Sequence, residues 1–205
     1  MKMAEYYYTQ NPESAHQLRT FTVEMGDRLL EFETDAGVFS KEHIDPGSQL
    51  LCSALPEEME GRILDMGAGW GAMSVLILAA HPGLDLTMAE INERALELAK
   101  GNLARNGMNG RALLSDGFGN VEGLFETIVT NPPIRAGKAV IYGMFRDARE
   151  HLVPGGSLYL VIRKQQGAES AGKYLKELYE TVDIVKKKSG YVVYRCTKGT
   201  EHAEI

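Results

Sequence analysis

The chain has 205 residues, 44% of them hydrophobic and 24% charged, a composition typical of soluble globular proteins, and the length suits one α/β domain with a modest extension. Its 22 Lys/Arg against 28 Asp/Glu give a formal net charge of −6, which argues against a protein that coats nucleic acid by counterion release alone. No apolar run approaches membrane-spanning length, no secretory signal opens the chain, and Cys52, Cys196 and the five histidines show no disulfide or metal-ligand spacing, so a reduced, cytoplasmic, metal-free protein is expected.

Residues 1–19 are polar and broken at Asn11-Pro12, so a loosely attached terminus is expected. Thr20–Glu24 and Leu29–Thr34 alternate about Met25-Gly26-Asp27-Arg28, the pattern of a β-hairpin. Asp35–Ser40 reads as a loop, and Asp45-Pro46-Gly47 opens a short helix through Leu51. From Gly61 onward strands and helices alternate, which signals a parallel sheet covered on both faces. Strands are predicted at 62–66, 84–89, 111–115, 125–130, 157–163, 182–187 and 191–196, with helices near 71–80, 92–105, 138–151 and 170–180. Asn92 reads as an N-cap, Asn106-Gly107 as a left-handed stop, and Leu96, Ala99 and Leu103 as a buried stripe. Pro154-Gly155-Gly156 is read as a break before the fifth strand, and Ser189-Gly190 as a two-residue hairpin turn that makes the last two strands antiparallel. The predicted division is an extension over 1–60 packed on a domain over 61–205.

The first strand–helix crossover, Arg62-Ile63-Leu64-Asp65-Met66-Gly67-Ala68-Gly69-Trp70-Gly71, sits where a doubly wound sheet binds ligand, and its glycines let the backbone approach one. A tight turn with no ligand is the alternative. Gly67-x-Gly69-x-x-Ala72 also satisfies a loose dinucleotide fingerprint. Asp65 favours the cationic methionyl end of S-adenosylmethionine instead, because beside a pyrophosphate it would repel. Glu90, at the end of the second strand, is placed to bond a ribose, or merely to cap the next helix. Asp116, before Gly117 and Phe118, can accept from an adenine amino group with Phe118 or Ile91 against the ring, or simply start a turn.

The fourth strand runs into Asn131-Pro132-Pro133-Ile134-Arg135-Ala136-Gly137-Lys138. The prolines have fixed φ and no N–H, so their carbonyls can serve as rigid acceptors, and the Asn131 side-chain oxygen is another. Two fixed acceptors suit gripping both hydrogens of a planar, conjugated amine and aiming its lone pair, which is catalysis by positioning. A rigid loop is the bland alternative. Arg135 and Lys138 would stand at the pocket mouth as phosphate or base contacts. Residues 162–205 hold 9 basic and 6 acidic side chains, and Arg163, Lys164, Lys186, Lys187, Lys188, Arg195 and Lys198 read equally well as RNA contacts or as a solvated, edge-protecting face. Phe39 could stack a flipped base or serve the core. Tyr6-Tyr7-Tyr8 reads as a packing or disordered segment rather than an RNA contact.

Together, Asp65-x-Gly67-x-Gly69-x-Gly71, Glu90, Asp116 and Asn131-Pro132-Pro133-Ile134 resemble the class I S-adenosylmethionine-dependent methyltransferases. Gly37-Val38-Phe39-Ser40, Asp45-x-Gly47-Ser48-x-Leu50-Leu51 and Asn131–Lys138 further resemble the small-subunit (16S) ribosomal RNA guanine-N2 methyltransferase C family, over roughly residues 20–198. The resemblance implies a Rossmann-like seven-stranded sheet with an antiparallel last strand. It also implies an S-adenosyl-L-methionine site at Asp65, Gly67, Ala68, Gly69, Gly71, Glu90, Ile91, Asp116, Gly117 and Phe118, with S-adenosyl-L-homocysteine as product and no metal. Gln49 and Ser48 would reach the methionyl end on family analogy. The implied partner is ribosomal RNA or the small ribosomal subunit, with no membrane. Better-known members carry a further N-terminal methyltransferase-like domain, for which about sixty residues are too few; that leaves open a partner subunit, a homodimer or another substrate. Ile134 stands where adenine-N6 and release-factor glutamine methyltransferases typically have an aromatic ring, and isoleucine cannot stack a π face. The competing readings are an N-methyltransferase acting on a protein amide or small amine, and a non-catalytic ribosome assembly factor.

Overall fold

The computed structural model describes residues 17–38, 40 and 42–200; Phe39 and Tyr6-Tyr7-Tyr8 lie outside them. Strands β1 (Arg19–Met25) and β2 (Arg28–Thr34) form the expected hairpin, paired from Arg19↔Thr34 to Met25↔Arg28. Its turn places Gly26 at φ +60°, the left-handed first position of a type II′ turn, which glycine adopts without steric cost. Helix α1 (Pro46–Cys52) starts where Asp45 caps the Ser48 amide, with proline in its first turn.

Next come β3 (Arg62–Met66), α2 (Ala72–Ala80), β4 (Asp85–Glu90), α3 (Glu93–Arg105), β5 (Arg111–Leu114), β6 (Phe125–Thr130), α4 (Lys138–Glu150), β7 (Leu152–Arg163), α5 (Ala168–Leu178), β8 (Thr181–Lys188) and β9 (Tyr191–Thr197). The sheet order is β5-β4-β3-β6-β7-β9-β8. All neighbours are parallel except β9, which runs against both β7 and β8. Ser189 and Gly190 both have positive φ, as the predicted two-residue turn requires.

One core cluster joins the sheet to α1, α2, α3 and the hairpin; the second joins the other face to α4 and α5. The hairpin and α1 contribute Leu30, Phe32, Leu50 and Leu51 to the same apolar cluster as Ile63 and Val129 of the sheet. Two expectations are corrected. Pro154-Gly155-Gly156 does not precede the strand but lies within β7: Phe125 pairs with Leu152 and Thr127 with Ser157, so the intervening residues bulge out of register. Their polar groups are met by Lys198, whose carbonyl accepts from the Gly155 amide at 3.0 Å and whose amide donates to the Gly156 carbonyl at 2.9 Å. Helix α5 begins at Ala168 rather than 170 because Gly167, at φ +93°, reverses the chain there, and it ends before Tyr179, which turns inward to donate to the Phe145 carbonyl at 2.8 Å.

Candidate active site

The carboxyl ends of β3, β4, β5 and β6 lie side by side, since Met66 pairs with both Ala89 and Thr130, and Glu90 with Leu114. The chain therefore leaves β3 and β6 in opposite directions at the switch point. The glycine loop is pinned to β4 by the Gly67 and Ala68 amides, which donate to the Ala89 carbonyl at 2.8 and 3.1 Å. Gly67 and Gly69 have φ of +72° and +57°, and a Cβ on either would meet nothing within 4 Å: the loop is bare on its open side, as close backbone approach to a ligand demands. Gly71 also serves packing, because a Cβ there would lie 2.9 Å from the Ala99 backbone of α3.

Two carboxyls lie beneath and beside this loop. Asp65 is fully buried and its Oδ2 accepts from the Ser74 hydroxyl at 2.7 Å. Its Oδ1 is buried with no donor among the described residues. Burial, with nearby Glu90 adding repulsion, lifts this carboxyl to about 7 against the bond from Ser74. Glu90 is held by two backbone amides, Gly69 to Oε2 at 2.8 Å and Asn92 to Oε1 at 2.9 Å. Burial raises it too, opposed by those amides. Each of its oxygens keeps a second lone pair for a ligand hydroxyl. A buried, unmatched acidic oxygen beside a bare glycine loop fits a ligand carrying a cation and a diol.

The Ser115 amide donates to the Glu90 carbonyl at 2.9 Å, which brings the exposed Asp116 and half-buried Gly117 beside β4. Phe118 is buried and stacks on His151 with centroids 4.6 Å apart, whereas Ile91 is half-exposed.

On the β6 side, the Asn131 Nδ2 donates to Asp45 Oδ2 and to Ser48 Oγ, both at 3.0 Å. No described residue donates to its Oδ1. The two proline carbonyls differ: that of Pro133 accepts from the Ala136 amide at 2.8 Å in a short 3-10 turn over Ile134–Ala136, while that of Pro132 has no donor among the described residues. Ile134 packs on the α4–α5 core. Arg135 is exposed, and Lys138 sits with its ammonium 4.9 Å from the Tyr142 ring centre. Gln49 is turned to the Ile44 carbonyl at 2.8 Å and lines a groove with Val23, Cys52 and Leu76, so Ser48 is the residue of α1 that joins the Asn131 group. Asp45 was legible as a helix cap from its spacing to Ser48, but nothing local tied it to a loop 86 residues away.

The late basic residues divide by topology. Arg163 lies at the carboxyl end of β7, stacked on Tyr191 at 4.6 Å. Lys164 follows it, its amide on the Gly190 carbonyl, and Lys187 and Lys188 lead into the same turn. That edge also holds Arg135 and Lys138. Lys186 is spent on the Ser53 carbonyl at 2.7 Å. At the far edge Arg195 faces Asp183 at 3.5 Å, and Lys198 binds the Leu152 carbonyl.

A parallel sheet of this order with one reversed strand, a bare glycine loop and an acid at the end of each of the next two strands is the framework of an S-adenosylmethionine-dependent methyltransferase. Residues 29–195 match the model of the methyltransferase small domain, and the chain belongs to that family. It is 40% identical, over 96% of its length and 100% of the other, to the uncharacterized protein YbxB of Bacillus subtilis (strain 168). It is 34% identical over 81% of its length to the ribosomal RNA small subunit methyltransferase C of Salmonella arizonae, covering 49% of that protein, and 36% identical over 64% to that of Serratia proteamaculans, covering 39%. The chain thus spans less than half the length of those two RNA methyltransferases. Among solved structures, the T. thermophilus 16S rRNA N2 methyltransferase RsmC, in complex with AdoMet and guanosine, superposes with a TM-score of 0.79 at 28% identity, over 88% of this chain and 50% of that one. A methyltransferase from Pyrococcus furiosus follows with a TM-score of 0.64 at 26% identity, over 80% and 90%. Among the described residues, no helix is long and apolar enough to cross a membrane.

Proposed function

We propose that this protein transfers a methyl group from S-adenosylmethionine to N2 of a guanine in 16S ribosomal RNA. The observation that carries the reading is the state of the loop after β6, where the Asn131 amide nitrogen is already engaged while the Asn131 Oδ1 and the Pro132 carbonyl are left as acceptors. The nitrogen of an exocyclic guanine amine is a poor nucleophile because its lone pair is delocalised into the ring. Two acceptors that take both of its hydrogens fix its plane and draw the lone pair out of conjugation, so the chain contributes position and polarity rather than a strong base. Bound S-adenosylmethionine supplies a methyl carbon made electrophilic by its sulfonium.

Gly67, Ala68, Gly69 and Gly71 form the backbone cradle for that ligand. Asp65 Oδ1 answers its cationic methionyl end, Glu90 accepts from the ribose hydroxyls, and Asp116 accepts from the adenine amine with Ile91 along the ring. Pro133 shapes the turn through its bond to Ala136, and Ile134 gives the target base an aliphatic wall. Arg135 and Lys138 are the contacts assigned to RNA at the mouth, and the sequence offers Phe39 as a ring to stack a flipped base. The relatives named for ribosomal RNA small subunit methylation, and the neighbour solved with guanosine, support this substrate class.

The test is mass analysis of 16S rRNA from cells lacking the gene and from cells complemented with Asn131→Ala. One N2-methylguanosine is expected to vanish in both and to return with the wild-type gene. An unchanged inventory overturns the reading.

A further inference from the structure

The segment Asp45-Pro46-Gly47-Ser48 is built around Asn131. Asp45 Oδ2 accepts from the Ser48 amide as a helix cap and from Asn131 Nδ2, both at 3.0 Å. Ser48 is buried and its Oγ takes the second bond from the same nitrogen at 3.0 Å. Gly47 is required beside them: a Cβ there would lie 2.8 Å from both Asp45 Oδ2 and the Tyr191 ring, so a side chain would push the cap away from Asn131. A carboxylate can only accept, so the face of Asn131 turned to Asp45 must be its –NH2 and the opposite face its carbonyl.

We infer that Asp45 and Ser48 determine the selectivity of the site by holding the Asn131 amide acceptor-outward, so that it receives an amino group and refuses a ring carbonyl. Resting on the amine-methylation reading above, this makes both residues positioning residues. A flipped amide would present donors, which match guanine O6 or a pyrimidine carbonyl and repel an amine. Flipping it would forfeit the bond to Asp45 and set the Asn131 oxygen against a carboxylate, while Ser48, whose hydroxyl can accept or donate, fixes the plane of the amide. The charge of Asp45, passed through the amide, also makes Oδ1 a stronger acceptor for an amine that becomes positive as it is alkylated.

Asp45→Asn separates this role from folding, because asparagine caps a helix about as well as aspartate but has no charge to hold and polarise the Asn131 amide, and a turn of its own amide sets nitrogen against nitrogen. In the full-length protein, kcat for RNA methylation is expected to fall about 10- to 100-fold, the range that misplacement of a reacting group produces. KM for S-adenosylmethionine and the melting temperature should hold at wild-type values. Ser48→Ala, which leaves the charge, should lose about 3- to 10-fold, the worth of one hydrogen bond. In an Asn131→Ala background, Asp45→Asn should cost nothing further. The side-chain amide protons of Asn131, followed by nitrogen-15 NMR without substrate, should be downfield and slow to exchange in the wild type and lose both properties in Asp45→Asn. Wild-type kcat in Asp45→Asn, an undiminished loss in the Asn131→Ala background, or unchanged amide signals would each overturn the inference. If the wild type methylates no RNA, the substrate reading falls, and the amide signals still decide this one.

Discussion

Asp65 lies under the glycine loop with one oxygen bonded to Ser74 and the other unmatched, and this sets how ligand affinity should vary with pH. Its carboxyl is lifted from 3.8 to about 7, chiefly by burial, so in the free protein the proton stays on below that pH. A cationic ligand needs the ionised form. Its affinity should therefore fall as pH drops through 7, by about tenfold between pH 7 and 5.5, over which an amino acid ammonium stays charged. Asp65→Asn should weaken binding at pH 7.5 and flatten this dependence, as calorimetric titration with S-adenosylmethionine at several pH values would show. Stability carries the matching sign: the native state holds this proton more tightly than the unfolded chain, so the contribution is full below about pH 4 and lost as pH rises toward 7. Asp65→Asn should consequently melt no lower than the wild type at pH 8. A flat affinity profile in the wild type would remove Asp65 from the ligand's cationic end.

The hairpin and α3 are joined by a device at the scale of whole elements. Asn102 and Asn106, one helical turn apart, each accept from a backbone amide and donate to the carbonyl of the same residue, Glu33 and Glu31 respectively, at 2.7 to 3.0 Å. One helical turn rises about 5.4 Å and two strand residues about 6.8 Å, close enough for the two side-chain amides to act as a neighbouring strand for β2. Asn102 also donates to the Trp70 carbonyl at 2.8 Å, and the Trp70 ring packs edge-on against Phe21 and Phe32. The hairpin is thereby the backing of the glycine loop. Asn102→Ala leaves buried backbone groups without partners and should cost about 3 kcal/mol, lowering the melting temperature by about 6–12 °C for a domain of this size and weakening S-adenosylmethionine binding with it. Asn106→Ala, at a partly exposed position, should cost about 1 kcal/mol. Equal effects from the two would count against this account. The hairpin itself was legible from alternation about Gly26; its attachment was not, because a polar residue on a helix face reads as solvated until a strand is known to lie over it.

Over the whole molecule, a net charge of −6 coexists with a cationic edge. The loop after β6, the end of β7 and the β8–β9 turn bring Arg135, Lys138, Arg163, Lys164, Lys187 and Lys188 to the rim on which Asn131 stands. Glu169, in the first turn of α5 after β7, is paired with Lys173 at 2.9 Å. Such a rim suits phosphate contacts that position an RNA and leave selection of the base to the pocket. Replacing Lys164, Lys187 and Lys188 together by alanine should raise KM for RNA with little change in kcat. It should also reduce the slope of log affinity against log salt by about 2, at roughly 0.7 per phosphate lost. The exposed pair Lys100 and Lys176, away from this rim, should be replaceable without either effect. Filter binding at several salt concentrations would check both, and equal slopes in the two variants would discard the rim as a docking edge.

The features already decided by the sequence were those set by local backbone chemistry. The glycine loop, the Asn92 cap, the Ser189-Gly190 turn and the rigid Asn131-Pro132-Pro133 exit each depend on the conformations that a few adjacent residues allow, and the strands on alternation that a short window reveals. Tertiary structure alone decided that Asp45 and Ser48 hold Asn131, that the Pro133 carbonyl is taken by the Ala136 amide, that Phe118 stacks on His151, and that the late basic residues split between two edges. Each of these follows from strand order and from competition among polar groups for partners far apart in the chain. Residues separated by 69 or 86 positions become neighbours only when burial of the two apolar faces has arranged the sheet.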